Sequence, residues 1–211
     1  PSIEPDFTLN NVGGFGAGLK ISNLAGIGGL NLGQYTDASG TITRSSADLT
    51  VANAIKIAGP INLYGGSITV NADLMSTLAG AGISLFGAGQ INLASDKSVQ
   101  TVSGDIHFKS NDLGSASGGI TLNTGSQLLS NGGNITLGGG YQGGQGDALY
   151  ASTSVVEGAV AVSLTNAQLD AGGGNVNVYG SETTGAAEGV RINASKITTT
   201  GLGRIGIYGD S

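Results

Sequence analysis

The chain has 211 residues, 40 of them glycine, with three prolines, no cysteine, no tryptophan, 10% charged residues and a formal net charge of −6. An ordinary globular enzyme is roughly a quarter charged, so the composition argues against one, and eight scattered Lys and Arg residues offer no basic patch to nucleic acid or to an anionic membrane. Without cysteine there is neither a disulfide framework nor a thiolate metal site, and no apolar run approaches the ~20 residues that insert across a bilayer.

The glycines lack the every-third-residue spacing of collagen, and the recurring aliphatic residues exclude a disordered linker. In chain order, an apolar-polar-apolar triplet recurs at Leu30-Asn31-Leu32, Ile61-Asn62-Leu63, Ile83-Ser84-Leu85, Ile106-His107-Phe108, Ile135-Thr136-Leu137, Val176-Asn177-Val178 and Ile205-Gly206-Ile207. Each triplet alternates with period two, the mark of a short strand with one buried face. This is series C. Series A precedes it by fourteen or fifteen residues, at Ile68, Ile91, Ile120, Val162 and Val190. Between them lies series B, at Leu74, Val99, Leu128, Leu169 and Ile197.

Successive C triplets are 31, 22, 23, 29, 41 and 29 residues apart, while the A-to-C distance hardly changes. The surplus therefore enters between C and A, as insertions at 109–119, 138–159 and 180–189. A unit of about 22 residues cannot bury its apolar face alone and must stack on copies of itself. The pattern predicts an all-β fold, a parallel β-helix (solenoid) with three short strands per coil, about seven coils and loops inserted at one corner. Residues 1–211 form one segment: less regular coils over 1–60, where Leu30 and Ile42 depart from the spacing, and regular coils over 61–211. Gly132-Gly133 and Gly172-Gly173-Gly174 are expected to supply positive-φ corners. A helical fold does poorly, since each glycine costs about 1 kcal/mol relative to alanine; only Asp73 to Leu78 reads as a passable helical turn. An antiparallel sandwich would not need the constant spacing.

Residues with chemistry are few. The one histidine, His107, points outward by alternation, with Asp105 and Lys109 near it and no nucleophile specified. The outward C positions, Asn31, Asn62, Ser84, His107, Thr136, Asn177 and Gly206, contain no carboxylate pair for glycoside hydrolysis. Asp96, Asp105 and Asp112 stand at neighbouring corners and read as solvated charges. Gly143 to Leu149 is similar to a calcium-binding nonapeptide but occurs once, whereas such sites need stacked copies. Gly13 to Gly18 is no phosphate loop, because Lys20 is not followed by Ser or Thr. The sequons at Asn134 and Asn193 carry no further signal, and the mixed outward residues do not make the regular lattice of an ice-binding face. No cofactor or metal is expected. Contact with a partner is expected from the long insertion, at Tyr141, Gln142, Asp147 and Tyr150, because the coils are committed to stacking.

"EGVRINASKITTTGLGRIGIYGDS" (188–211) and "VSLTNAQLDAGGGNVNVYG" (162–180) resemble the glycine-rich repeats of filamentous-haemagglutinin-like exoproteins, the passengers of two-partner secretion in Gram-negative bacteria. The resemblance covers residues 61 onwards. It implies a right-handed parallel β-helix, export through an outer-membrane partner, and a secreted, cell-surface adhesin or stalk. The first residues lack a secretory signal, and nothing matches the Asn-Pro-Asn-Gly-Ile-type motif of that family's secretion domain, so an internal stalk segment is expected. The expected role is structural and adhesive cell adhesion, not enzymatic. Its partners would be a host or neighbouring-cell receptor or glycan, the flanking coils of a longer parent chain, and its own kind end to end. A polysaccharide-acting β-helix enzyme and a self-assembling filament subunit are the alternatives.

Overall fold

A computed structural model of the chain describes residues 7–9, 27–36, 38–111, 118–139, 151–153, 160–182 and 188–210. Each aliphatic series becomes one parallel sheet. In sheet C the pairing places Leu30, Ile61, Ile83, Ile106, Ile135, Val176 and Ile205 one above the next. Sheet A stacks Leu49, Ile68, Ile91, Ile120, Val162 and Val190. Sheet B stacks Ile55, Leu74, Val99, Leu128, Leu169 and Ile197. The chain visits C, A and B in turn, and Ile205–Asp210 opens a further coil. This is an all-β parallel β-helix of three strands per coil, and no helix occurs among the described residues.

The alternation fixes the core. Ile61, Leu63, Ile83, Leu85, Ile106, Phe108, Ile135 and Leu137 are fully buried, as are their counterparts in the middle coils of sheets A and B. Each such side chain contributes roughly 1.5–3 kcal/mol of burial, and it can do so only while a coil lies on either side. Val176 and Val178 are 0% exposed, whereas Ile205 and Ile207, which stack on them in the last coil, are 46% and 44% exposed.

Four features differ from the sequence reading or refine it. Leu49 and Ile55 extend series A and B by one rung, so regular stacking in those sheets begins before residue 61. Ile42 belongs instead to an antiparallel hairpin of Gln34–Thr36 and Ile42–Arg44, another insertion between C and A. The segment Asp73 to Leu78 is no helical turn; Leu74–Ala79 is a strand of sheet B. The 138–159 insertion contains a strand, Ala151–Thr153, paired to the extended C strand through Ala151 and Gly180.

The corners use glycine in two distinct ways. Gly132, Gly172 and Gly173 have positive φ, as expected, but Gly133 and Gly174 do not. These two are required by close approach: a Cβ on Gly133 would run into the carbonyl of Gly104, and one on Gly174 into that of Gly133. Elsewhere left-handed positions fall on Asp96, Asn111, Asn131 and Asn166, residue types that tolerate this backbone, and also on Ser103 and Ala194.

A second ladder joins the coils by side chains. An Asp or Asn just before a strand accepts the backbone N–H of the next coil: Asp48 from Ser67 at 2.7 Å, Asp73 from Ser98 at 2.8 Å and Asp105 from Asn134 at 2.7 Å. Asn134 Oδ1 then accepts from Asn175, and Asn175 Oδ1 from Arg204, both at 2.9 Å. These bonds satisfy N–H groups at corners, where a strand ladder is interrupted.

Candidate functional site

Alternation turns every second C residue away from the core, which leaves a polar column of Asn62, Ser84, His107, Thr136 and Asn177 on the outer face. Beside it run two stacked aromatic pairs, Tyr64–Phe86 with centroids 4.6 Å apart and Tyr179–Tyr208 at 4.8 Å. The N-terminal hairpin folds over the first pair, placing the Arg44 guanidinium 5.2 Å from the Tyr64 ring centroid and 5.6 Å from that of Phe86. Its cation faces the aromatic π-system, and its Nε donates to Gln34 Oε1 at 2.9 Å.

Where the polar column meets the turn from B to C, the surface is indented by an open groove of about 410 Å³. Three successive coils build it. It is lined by Asn62, Ser84 and His107 of the polar column and by Pro60, Gly82 and Asp105, each immediately preceding its C strand. Gly80 and Ser103, both with positive φ, complete the lining from the preceding turn. The indentation follows from the sequence Gly80-Ala81-Gly82, where three successive positions carry nothing larger than a methyl group.

His107 is outward-facing, as alternation requires, yet half-buried in this groove. Burial holds its imidazole below the ordinary histidine value, against the pull of the Asp105 carboxylate and with a small further depression from Lys109. The ring is therefore neutral at pH 7, with one nitrogen donating and one accepting. Asp105 Oδ1 is occupied by the backbone N–H and the side-chain amide of Asn134, at 2.7 and 3.1 Å.

Tyr141, Gln142, Asp147 and Tyr150, the expected contact residues, lie outside the described residues, as do Asp112, Gly143 to Leu149 and Gly13 to Gly18. Asp96 sits at the A-to-B corner and Asp105 at the B-to-C corner, so these two are not brought together as a pair. Among the described residues, no three His, Asp or Glu side chains converge to hold a metal. Asn134, the residue of the first sequon, is engaged at both ends of its amide by Asp105 and Asn175.

The sequence reading named the polar column but not the groove, because its walls come from one short turn in each of three coils. The available signal was the recurrence of small residues at 58–60, 79–82 and 103–104 just before a C triplet. Compared with known proteins, the chain matches no family model, no curated protein and no solved structure.

Proposed function

We propose that the chain is a rigid supporting segment of a large exported bacterial surface protein, of the filamentous-haemagglutinin-like kind, and that its outer faces are adhesive. The observation that carries the reading is the vertical stacking of the aliphatic series from coil to coil in sheets A, B and C, kept even where sheet B shifts register between Gln100 and Val102, combined with confinement of the large insertions to one corner. A column whose interior is filled by side chains transmits position and leaves contact to its surface. The repeats over 162–180 and 188–211 support the kinship through their glycine-and-aliphatic phrasing.

Beads coated with the folded chain should adhere to epithelial or bacterial cells more than beads coated with heat-unfolded chain. Equal adherence removes the adhesive half of the reading. Release of reducing ends from any of a panel of polysaccharides, abolished by substitution of Asp96 or Asp105, replaces it with the enzymatic alternative.

A further inference from the structure

We infer that the groove between the polar C column and the B-to-C turn is a binding site for a neutral oligosaccharide, held by Asn62, Ser84 and His107. The inference deepens the adhesive half of the proposed function and rests on it.

The first argument is chemical. Asn62 and Ser84 each offer a donor and an acceptor, and so does an imidazole in its neutral form. Such a set matches sugar hydroxyls, which likewise donate and accept. It suits an anion poorly, because among the described residues no cationic side chain lines the groove and the Asp105 carboxylate does. Burial keeps His107 from supplying a positive charge at neutral pH, in keeping with a neutral ligand.

The second argument is geometric. Asn62, Ser84 and His107 occupy successive rungs of one sheet, about 4.8 Å apart, a repeat close to the length of one pyranose in a chain. A linear glycan lying along the column axis thus meets one polar side chain per sugar unit.

The third argument concerns the neighbourhood of the groove. Leu78, two residues before Gly80, and Val102, next to Ser103, do not line the groove itself but are 58% and 39% exposed although they are large aliphatic residues. A sugar ring has apolar C–H faces as well as hydroxyls, and exposed aliphatic groups beside a polar groove suit both. A concave surface with convergent polar groups is one part of the usual character of a small-ligand site; this groove is shallower and more polar than most, which suits a hydroxyl-rich ligand.

The single histidine makes the test direct, because its ring Hε1 proton is a unique NMR signal inside the groove. With the intact chain at pH 7, maltopentaose, cellopentaose and N-acetylchitopentaose are titrated separately, with trigalacturonate as the acidic comparison. The expected result is a saturable shift of that signal with at least one neutral probe, at a Kd of about 1 mM. Asn62→Ala and Ser84→Ala should each weaken binding roughly tenfold, with unchanged circular dichroism. Gly80→Asn, at a position where an added Cβ meets nothing within 4 Å and with a residue type that tolerates the left-handed backbone, is a second probe that narrows the mouth. Absence of a shift with every neutral probe, a shift with trigalacturonate alone, or an equal shift in all three variants overturns the inference. Bead adherence that survives such a failure leaves the adhesive reading intact on another surface; loss of adherence with groove binding retained removes that reading alone.

Discussion

The middle coils and the last coil carry the same residue types in the same register, yet their apolar side chains have different surroundings. Ile135 is fully buried between Ile106 and Val176, while Ile205 has, among the described residues, a strand neighbour on one side and is about half exposed. The comparison shows that a side chain in this fold is stabilised by adjacent rungs more than by its own coil. Stability is accordingly a sum of local interfaces, and equivalent substitutions should have unequal effects along the column.

The largest expected effect is on the core ladder. Ile135→Ala should destabilise the chain by roughly 4 kcal/mol and Ile205→Ala by about 1 kcal/mol, measured by urea unfolding. Equal losses would contradict the nearest-neighbour account. Native-state hydrogen exchange should independently show weaker protection of Ile205–Asp210 than of Ile135–Gly139.

Next is the close approach of coils. Gly133→Ala should cost about 3 kcal/mol, since the new methyl group meets the Gly104 carbonyl rather than a movable side chain. Gly201→Ala meets no atom within 4 Å and bears only the strain of its positive φ, 62°, about 1 kcal/mol. A cost at position 133 no larger than at 201 would remove the packing explanation.

Smaller still is the contrast in the side-chain ladder. Asn134→Ala removes the acceptor for the Asn175 N–H and a donor to Asp105, and should cost about 2 kcal/mol. Arg204 stands at the equivalent place one rung beyond Asn175 and presents no side-chain acceptor, so Arg204→Ala should lie within about 0.5 kcal/mol of the parent chain. Comparable midpoints for the two variants would break the proposed chain of acceptors.

The smallest effect concerns pH. Burial depresses the pKa of His107 in the folded chain, so the unfolded chain takes up that proton first as the pH falls. The stability due to the neutral ring is complete above the unfolded value, about 6.5, and is lost as the pH drops through it towards the folded value. His107→Gln should therefore flatten the fall in urea midpoint between pH 7 and pH 5. An unchanged slope would mean that the groove does not shield the ring.

Much of the column was legible because vertical stacking forces an arithmetic on the chain: residues that lie atop one another must recur at the length of a coil. Where that arithmetic changed, legibility failed. Leu49 precedes its C partner Ile61 by only twelve residues, and the hairpin ending at Arg44 separates it from Leu30–Leu32, so neither Leu49 nor Ile55 stood out. The distinction between Gly132 and Gly133 was invisible for another reason: the first glycine answers to its own backbone angle and the second to an atom one coil away. The groove was harder still, since Asn62, Ser84 and His107 share no residue type. They share the outward middle place of a C triplet with Thr136 and Asn177, and what sets them apart is that they face one concavity, which depends on what Gly80-Ala81-Gly82 omits.

The Asp and Asn ladder also has a direction. Asp48, Asp73, Asp105, Asn134 and Asn175 each hold out an oxygen towards the coil synthesised after their own; Ser195, which accepts from Ala167, is the reverse case. A rung already in place thus presents a ready-made berth for the segment that emerges next. A chain threading head-first through a narrow exit could zip up vectorially, each turn seating on its predecessor without waiting for the remainder to appear.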